Sequence, residues 1–300
     1  MVNRFKLLTA GVVLGLLVLI RPLAAAEPLV DADWVKAHLN KPGIVFLDLQ
    51  GEKGFVRAHV PGAAGTDYGQ WRKTSAEGVP AQLPGTAYLE KLIGSLGIDA
   101  DTHVVLTPVG QSASDLSVAT RIYWSFKAMG HRDISILNGG LIDYALNKRY
   151  PLANGNERPA AKTYKAKPDP SVIAGAKDVL AAIEAGSSIV DARSPKEYSG
   201  KLFGRGERPG AVPGAKLMPH YTLTSPKSGA LPDRGALKAL FEKAGIPTTG
   251  PQIAYCHTGN RASLNWFVAH ELLGNTEARL YDGSMVEWAR NKAYPLVLPK

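Results

Sequence analysis

Six consecutive residues, Cys256, His257, Thr258, Gly259, Asn260 and Arg261, combine a nucleophile, a turn and a cation, and Cys256 is the only cysteine of the chain. The apolar run 253–255 leads into the thiol. A helical pattern follows from about Arg261, with Leu264, Phe267, Val268 and Leu272 on its buried side. This order of strand, tight turn and helix places the thiol at the head of a helix. The first backbone N–H groups there lack intrahelical acceptors, and the helix dipole adds partial positive charge. Gly259 lets the backbone curl round a small anion. Arg261 supplies a full charge, either to that anion or to the loop's own carbonyls. Such surroundings lower a thiol's pKa and make Cys256 a nucleophile for covalent catalysis without an adjacent base. The competing reading is an inert thiol buried at a strand end.

Other residues share that edge. The runs "SIVDA", "QIAYC" and "ARLYD" read as strands that end at Asp191, Cys256 and Asp282. Asp191 reads as a structural hydrogen-bond acceptor. Arg193, two residues beyond it, can reach the edge that carries Cys256, or pair with Glu197 four residues on. His257 reads as solvent-facing. Lys201, Arg205 and Arg208 lie in a glycine-rich loop that can add positive charge. His59 and His220 lack metal-ligand spacing with other His, Cys or acidic residues, so no metal and no cofactor is expected.

The elements that position these residues occur twice. "ISILNGGLIDYALNKRYPL" in mid-chain matches "ARLYDGSMVEWARNKAYPL" at the end, with Asn138 and Asp282, like Tyr150 and Tyr294, standing 144 positions apart. "YLEKLIGSLGI" matches "ALKALFEKAGI", each with apolar residues at i, i+3, i+4 and i+7 and each closed by a glycine, Gly97 or Gly245. "IVFLDLQ" parallels "SIVDARS", and "HVPGAAG" parallels "AVPGAKL". A period this long is a domain duplication: residues 27–153 and 172–300 form two α/β domains, joined by a polar, proline-bearing linker at 154–171. Alternating strands and helices predict a mostly parallel sheet in each, with helices on both faces and ligands beyond the carboxyl ends of the strands.

The chain has 300 residues, 45% hydrophobic and 20% charged, a globular composition. Its first 26 residues read as a secretory signal peptide: Arg4 and Lys6, an apolar run from Leu7 to Ile20, then Ala24 and Ala26 as a cleavage site. A soluble periplasmic protein without membrane attachment is expected after cleavage; an uncleaved anchor is the alternative. Loss of Arg4, Lys6 and Arg21 takes the formal net charge from +9 to +6. That modest positive field suits small anionic substrates. No basic run or interleaved aromatic stripe points to nucleic acid. Exported proteins usually carry cysteines in pairs, so a lone one either pairs between chains or stays as a free, reactive thiol.

The pattern Cys256-His257-Thr258-Gly259-Asn260-Arg261, together with "DARSPKEYSG", "GAVPGAKLMP" and "LYDGSMVEW", resembles the rhodanese family. The duplication resembles its tandem-domain thiosulfate and 3-mercaptopyruvate sulfurtransferases. The resemblance implies that Cys256 takes the outer sulfur of a small anionic donor as a persulfide, that residues 257–261 cradle it, and that a thiol or cyanide accepts it. It implies donor contact for Arg193. The loop has neither the small residues usual in mercaptopyruvate enzymes nor the basic pair of animal thiosulfate enzymes, which points to thiosulfate or another inorganic donor. In the first half, Thr107 aligns with Cys256 and the following loop is longer. That domain is therefore expected to be silent and to wall off the cleft.

Two other functions share these features. A cysteine phosphatase or arsenate reductase also uses a cysteine, an anion-cradling loop and an arginine. Its signature places five residues between cysteine and arginine, where this chain has four. A non-catalytic sulfur-carrying module would keep the thiol without turnover.

Overall fold

The computed structural model describes residues 26–226 and 228–299. The expected signal peptide, apart from Ala26, lies outside the described residues. Among those described, no helix is long and apolar enough to cross a membrane.

The first half holds strands β1 (Leu29–Val30), β2 (Ile44–Asp48), β3 (Ala64–Gly65), β4 (His103–Thr107) and β5 (Ile134–Leu137). They form a sheet in the order β1-β5-β4-β2-β3. The second half repeats this with β6 (Ile173–Ala174), β7 (Ser188–Asp191), β8 (Lys216–Leu217), β9 (Gln252–Tyr255) and β10 (Ala278–Tyr281), ordered β6-β10-β9-β7-β8. Every pairing within the two sheets is parallel. The central strands are continuous apolar runs because both sheet faces are covered. Val45 and Leu47 of β2 enter one core while Phe46 enters another; Val190 and Ala254 likewise face away from Ile189 and Ile253.

The two amphipathic repeats become the helices Thr86–Ser95 and Arg234–Lys243. Asp233 caps the latter by accepting the Ala236 N–H at 2.9 Å. Gly97 and Gly245, at φ 78° and 65°, turn the chain out of them.

The linker is not a free tether. Lys162, Lys167 and Asp169 donate backbone hydrogen bonds of 2.9–3.0 Å to Gly94, Met129 and Ala128, and Tyr164 is buried. Glycine is required at 94 and 130 for this approach: a Cβ would stand 2.5 Å and 2.0 Å from linker carbonyl oxygens.

The halves meet through the helices Ala113–Ala128 and Asn260–Phe267, each of which follows the central strand of its sheet. Thr120 Oγ1 and Ser263 Oγ lie 2.8 Å apart, and small residues there allow close approach. The Tyr123 and Phe267 rings pack edge to face at 4.9 Å. The largest hydrophobic core runs through this contact, taking Leu106, Leu116 and Tyr123 from one half and Ala254, Leu264 and Phe267 from the other. Its burial holds the two halves together.

Candidate active site

Cys256 follows the last residue of β9 and is 1% exposed. Its N–H donates to Ser284 Oγ at 3.1 Å, and that hydroxyl donates to the Tyr281 carbonyl at 2.8 Å. The carbonyls of Cys256 and His257 accept from the N–H groups of Met285 and Val286 at 3.1 and 2.9 Å. The turn after β10 thereby clips the start of the loop. Ser284 holds a φ of 46°, a conformation that costs a side chain on the order of 1 kcal/mol or more. The equivalent position in the first half is Gly140, at 61°.

Beyond the clip, the backbone N–H groups of His257, Thr258, Gly259 and Asn260 have no acceptor among the described residues. Gly259 is the N-cap of the helix Asn260–Phe267, with φ 75° and ψ −11°. Two constraints demand glycine there: the positive φ, and a close approach in which a Cβ would stand 2.7 Å from Arg121 Nη1 and 3.1 Å from the Asp282 carbonyl.

Arg261 faces Glu197, its Nη1 and Nη2 donating to Oε2 and Oε1 at 2.8 and 2.7 Å. Burial alone would raise the Glu197 carboxyl. The Arg261 fork and the Ser194 hydroxyl and amide outweigh it and hold the group at about 2. Among the described residues Arg261 bonds to no loop carbonyl; it pairs with Glu197 while its charge also acts on Cys256. His220, buried close by, is pushed down to about 4 by burial and by the charge of Arg261. His257 sits at the rim, its side chain 39% exposed, with Nε2 2.9 Å from Glu207 Oε1.

Arg193 departs from the donor-binding expectation. It is 3% exposed, and its Nε and Nη2 donate to the Asp191 carboxylate at 2.6–3.1 Å while Nη2 also reaches the Gly210 carbonyl. Asp191 further accepts the Arg193 backbone N–H and the Tyr255 hydroxyl. The cause is local: a buried carboxylate two residues away needs a counter-charge, and among the described residues Arg193 is the cation in ion-pair contact with it. Glu197, the other partner open to Arg193, is taken by Arg261. Arg208 is likewise structural, donating to the carbonyls of Asn291 and Tyr294.

The alignment of Thr107 with Cys256 also shifts by one residue. Register pairs Asp48 with Thr107 and Asp191 with Tyr255, so Thr107 matches Tyr255. Pro108 stands where Cys256 does, its carbonyl accepting from Leu141 as that of Cys256 accepts from Met285. An apolar strand end without a gap-free alignment left that register open.

The first half does more than wall the cleft. The Tyr68 hydroxyl donates to Asn260 Oδ1 at 2.6 Å, and Arg72 Nη2 donates to the Thr258 carbonyl at 3.2 Å. The Leu83 N–H and the Gln82 side chain bind Asp282 at 2.7 and 3.3 Å. Arg121, fully buried, lies 2.5 Å from Asp282 Oδ1 and stacks its guanidinium 4.5 Å over Trp124. Burial pushes the Tyr68 phenol up to about 12. Sequence reasoning missed this set because Tyr68 opens a single 3-10 turn, Tyr68–Trp71, and Arg72 follows it, a stretch too short to show a helical or strand period. Arg121 did leave a signal, a single cation within the apolar helical run "ATRIYWSF".

A parallel-sheet domain present twice, with one copy bearing a cysteine on a strand-to-helix loop, defines a tandem α/β transferase architecture. The chain belongs to the rhodanese-like family, whose domain profile matches residues 31–146 and again 175–291. It is 32% identical over 287 residues to a protein of Saccharopolyspora erythraea named "Putative thiosulfate sulfurtransferase", covering 93% of this chain and 99% of that one. A Haloferax volcanii protein of the same name is 32% identical over 286 residues, with 91% and 96% covered. The crystal structure of SseA from Escherichia coli, described with the rhodanese fold and mechanism of 3-mercaptopyruvate sulfotransferases, superposes with a TM-score of 0.75 at 25% identity. That match covers 86% of this chain and 99% of SseA.

Proposed function

We propose that the protein is a rhodanese-type sulfurtransferase that moves the sulfane sulfur of thiosulfate to a thiophilic acceptor through a persulfide on Cys256. One observation carries the reading: the only cysteine is followed by four consecutive backbone amides without an acceptor among the described residues, at the head of a helix. Such an array stabilises a negative sulfur. The Cys256 thiolate attacks the outer sulfur, the donor's S–S bond breaks, and sulfite leaves with the bonding electron pair. The persulfide then passes its terminal sulfur to cyanide or a thiol, and the Cys256 thiolate returns. The sulfurtransferase name of the full-length relatives supports this assignment.

The pairing of Arg261 with Glu197 speaks against phosphoryl chemistry, because the arginine that would hold a phosphoryl group already holds a carboxylate. Mass spectrometry after thiosulfate treatment tests the reading. A gain of about 32 Da, one sulfur atom, is expected, removed by cyanide and absent in Cys256→Ser. Phosphate release from an aryl phosphate without sulfur uptake would overturn it.

We also propose that residues 1–26 direct export to the periplasm. The order of basic, apolar and small residues supports this. An N-terminus at Glu27 in protein recovered from the periplasmic fraction is the expected result, and an intact Met1 would refute it.

A further inference from the structure

The loop that leaves the short helix Pro195–Tyr198 gathers exposed apolar surface. Leu202 and Phe203 on it are each 53% exposed, and Leu298 near the end of the chain is 64% exposed. They adjoin one another. Leu298 Cδ2 lies against Gly200, where a Cβ would stand 2.5 Å from it, and the Leu202 N–H donates to the Lys196 carbonyl at 3.0 Å.

Cations frame this patch. Lys196, Lys201 and Arg205 are exposed, and the two lysines share a shallow cleft with Pro299. None of the three forms an ion pair among the described residues. The two acids of the stretch are engaged elsewhere, Glu197 by Arg261 and Glu207 by His257. Residues 195–209 therefore present apolar surface and positive charge without an unpaired carboxylate.

The loop is also tied to the nucleophile. The Gly204 N–H donates to Glu207 Oε2 at 3.1 Å, and Oε1 of the same carboxylate lies 2.9 Å from Nε2 of His257, the residue after Cys256. One carboxylate thus spans from the backbone beside Phe203 to the rim of the cysteine loop.

We propose that Lys201, Leu202, Phe203 and Arg205, with Leu298, dock the sulfur acceptor, and that this acceptor is a protein whose cysteine lies on an acidic, partly apolar segment. The inference rests on the sulfurtransferase reading above and names the class of its acceptor. Cyanide or a small thiol has no use for so wide a surface, whereas apolar side chains framed by unpaired cations suit an acidic protein. A second copy of this chain fits poorly, because a two-fold contact sets the same patch on both subunits and brings its cations face to face. Cys256 is 1% exposed, so the incoming thiol must be held at the loop rather than met at the surface. The partner's thiolate, its proton given to water, attacks the terminal sulfur of the Cys256 persulfide. The S–S bond breaks, the Cys256 thiolate leaves with the bonding pair, and the partner carries the persulfide away.

Two synthetic peptides test this, one with a single cysteine among glutamates and leucines, the other with lysines for the glutamates. Protein loaded with sulfur from thiosulfate should discharge to the acidic peptide with a kcat/KM about tenfold or more above that for the basic one, a gap that shrinks as salt is added. Lys201→Glu/Arg205→Glu should abolish that preference, and Leu202→Ser/Phe203→Ser should weaken transfer to both peptides about tenfold. In both variants discharge to cyanide and the KM for thiosulfate should stay within about twofold of wild type. Equal use of the two peptides by the wild-type protein overturns the inference, as does a preference that survives the charge reversal. A raised KM for thiosulfate in Lys201→Glu/Arg205→Glu also overturns it and assigns the cations to the donor. A dimer in sedimentation that Leu202→Ser/Phe203→Ser dissolves overturns it in favour of a second copy. If the wild-type protein gains no sulfur from thiosulfate, the sulfurtransferase reading falls and this inference with it. If it gains sulfur, yields it to cyanide and treats the peptides alike, only the inference falls.

Discussion

Arg193 and Asp191 form a buried ion pair at the carboxyl end of β7, the Arg193 Nη2 standing 2.6 Å from Asp191 Oδ2. The pair ties down the strand end beside Cys256 and commits Nε and Nη2 of the guanidinium to Asp191 and the Gly210 carbonyl. Arg193→Met should therefore act on stability, costing about 3–5 kcal/mol because the buried carboxylate loses its partner. Denaturant unfolding reads that loss, and removing both charges in Arg193→Met/Asp191→Asn should restore much of it. The KM for thiosulfate of the folded variant should stay within about twofold of wild type. A raised KM at unchanged stability would return Arg193 to donor binding.

Ser284 sits in a backbone conformation that suits glycine and uses its hydroxyl to accept the Cys256 N–H. Ser284→Ala should lose the acceptor and keep the strain, costing about 1–3 kcal/mol. Ser284→Gly loses the same acceptor but relaxes the backbone, so it should be the more stable of the two by about 1 kcal/mol. Thermal melts should order the proteins wild type, glycine, alanine, and both variants should take up sulfur more slowly. An alanine variant as stable as wild type would contradict this account.

Pro108 occupies the position of Cys256 in the other half, yet Pro108→Cys should not create a second site. Three residues separate Cys256 from its helix, whereas four separate Pro108 from the helix Ala113–Ala128. There Ser112 caps the helix by accepting the Asp115 N–H, and Gly140 offers no hydroxyl where Ser284 does. In the double variant Pro108→Cys/Cys256→Ser, treatment with thiosulfate should add no mass. A gain of about 32 Da would show that the loop matters less than the thiol.

His220 makes stability depend on pH in a definite direction. Its imidazole is held at about 4 in the folded protein against 6.5 in an open chain, by burial first and then by the charge of Arg261. The unfolded chain therefore binds the proton first, and stability falls as pH drops from 6.5 to about 4. The carboxyl of Glu197, held at about 2 against 4.5, adds a second loss as pH falls from 4.5 to about 2. Melting temperatures measured across this range should show a shallower fall between 6.5 and 4 in His220→Asn. An identical slope in that variant would exclude His220 as its source.

The duplication, the parallel α/β sheets and the placement of Cys256 at a strand end were legible in the chain, because each depends on local signals. Apolar runs of strand length, helical spacing such as Leu89, Leu92, Ile93 and Leu96, and closing glycines need only neighbours in sequence to be read. Gly259 was legible for the same reason, since a tight polar turn between a strand and a helix that must curl round an anion suits glycine.

Tertiary structure decided what the charges do. Arg193 and Arg261 have similar standing in the sequence, and both turned to carboxylates, Asp191 and Glu197, because half-dry sites pair their ions with whatever partner lies in reach. The sequence by itself determined where the nucleophile sits and which half is without one. Only the packing of the helices Ala113–Ala128 and Asn260–Phe267 decided that Tyr68, Arg72 and Arg121 of the cysteine-free half close around the loop of the other. Those contacts join residues more than 140 positions apart, and a pattern of local spacing carries no record of them.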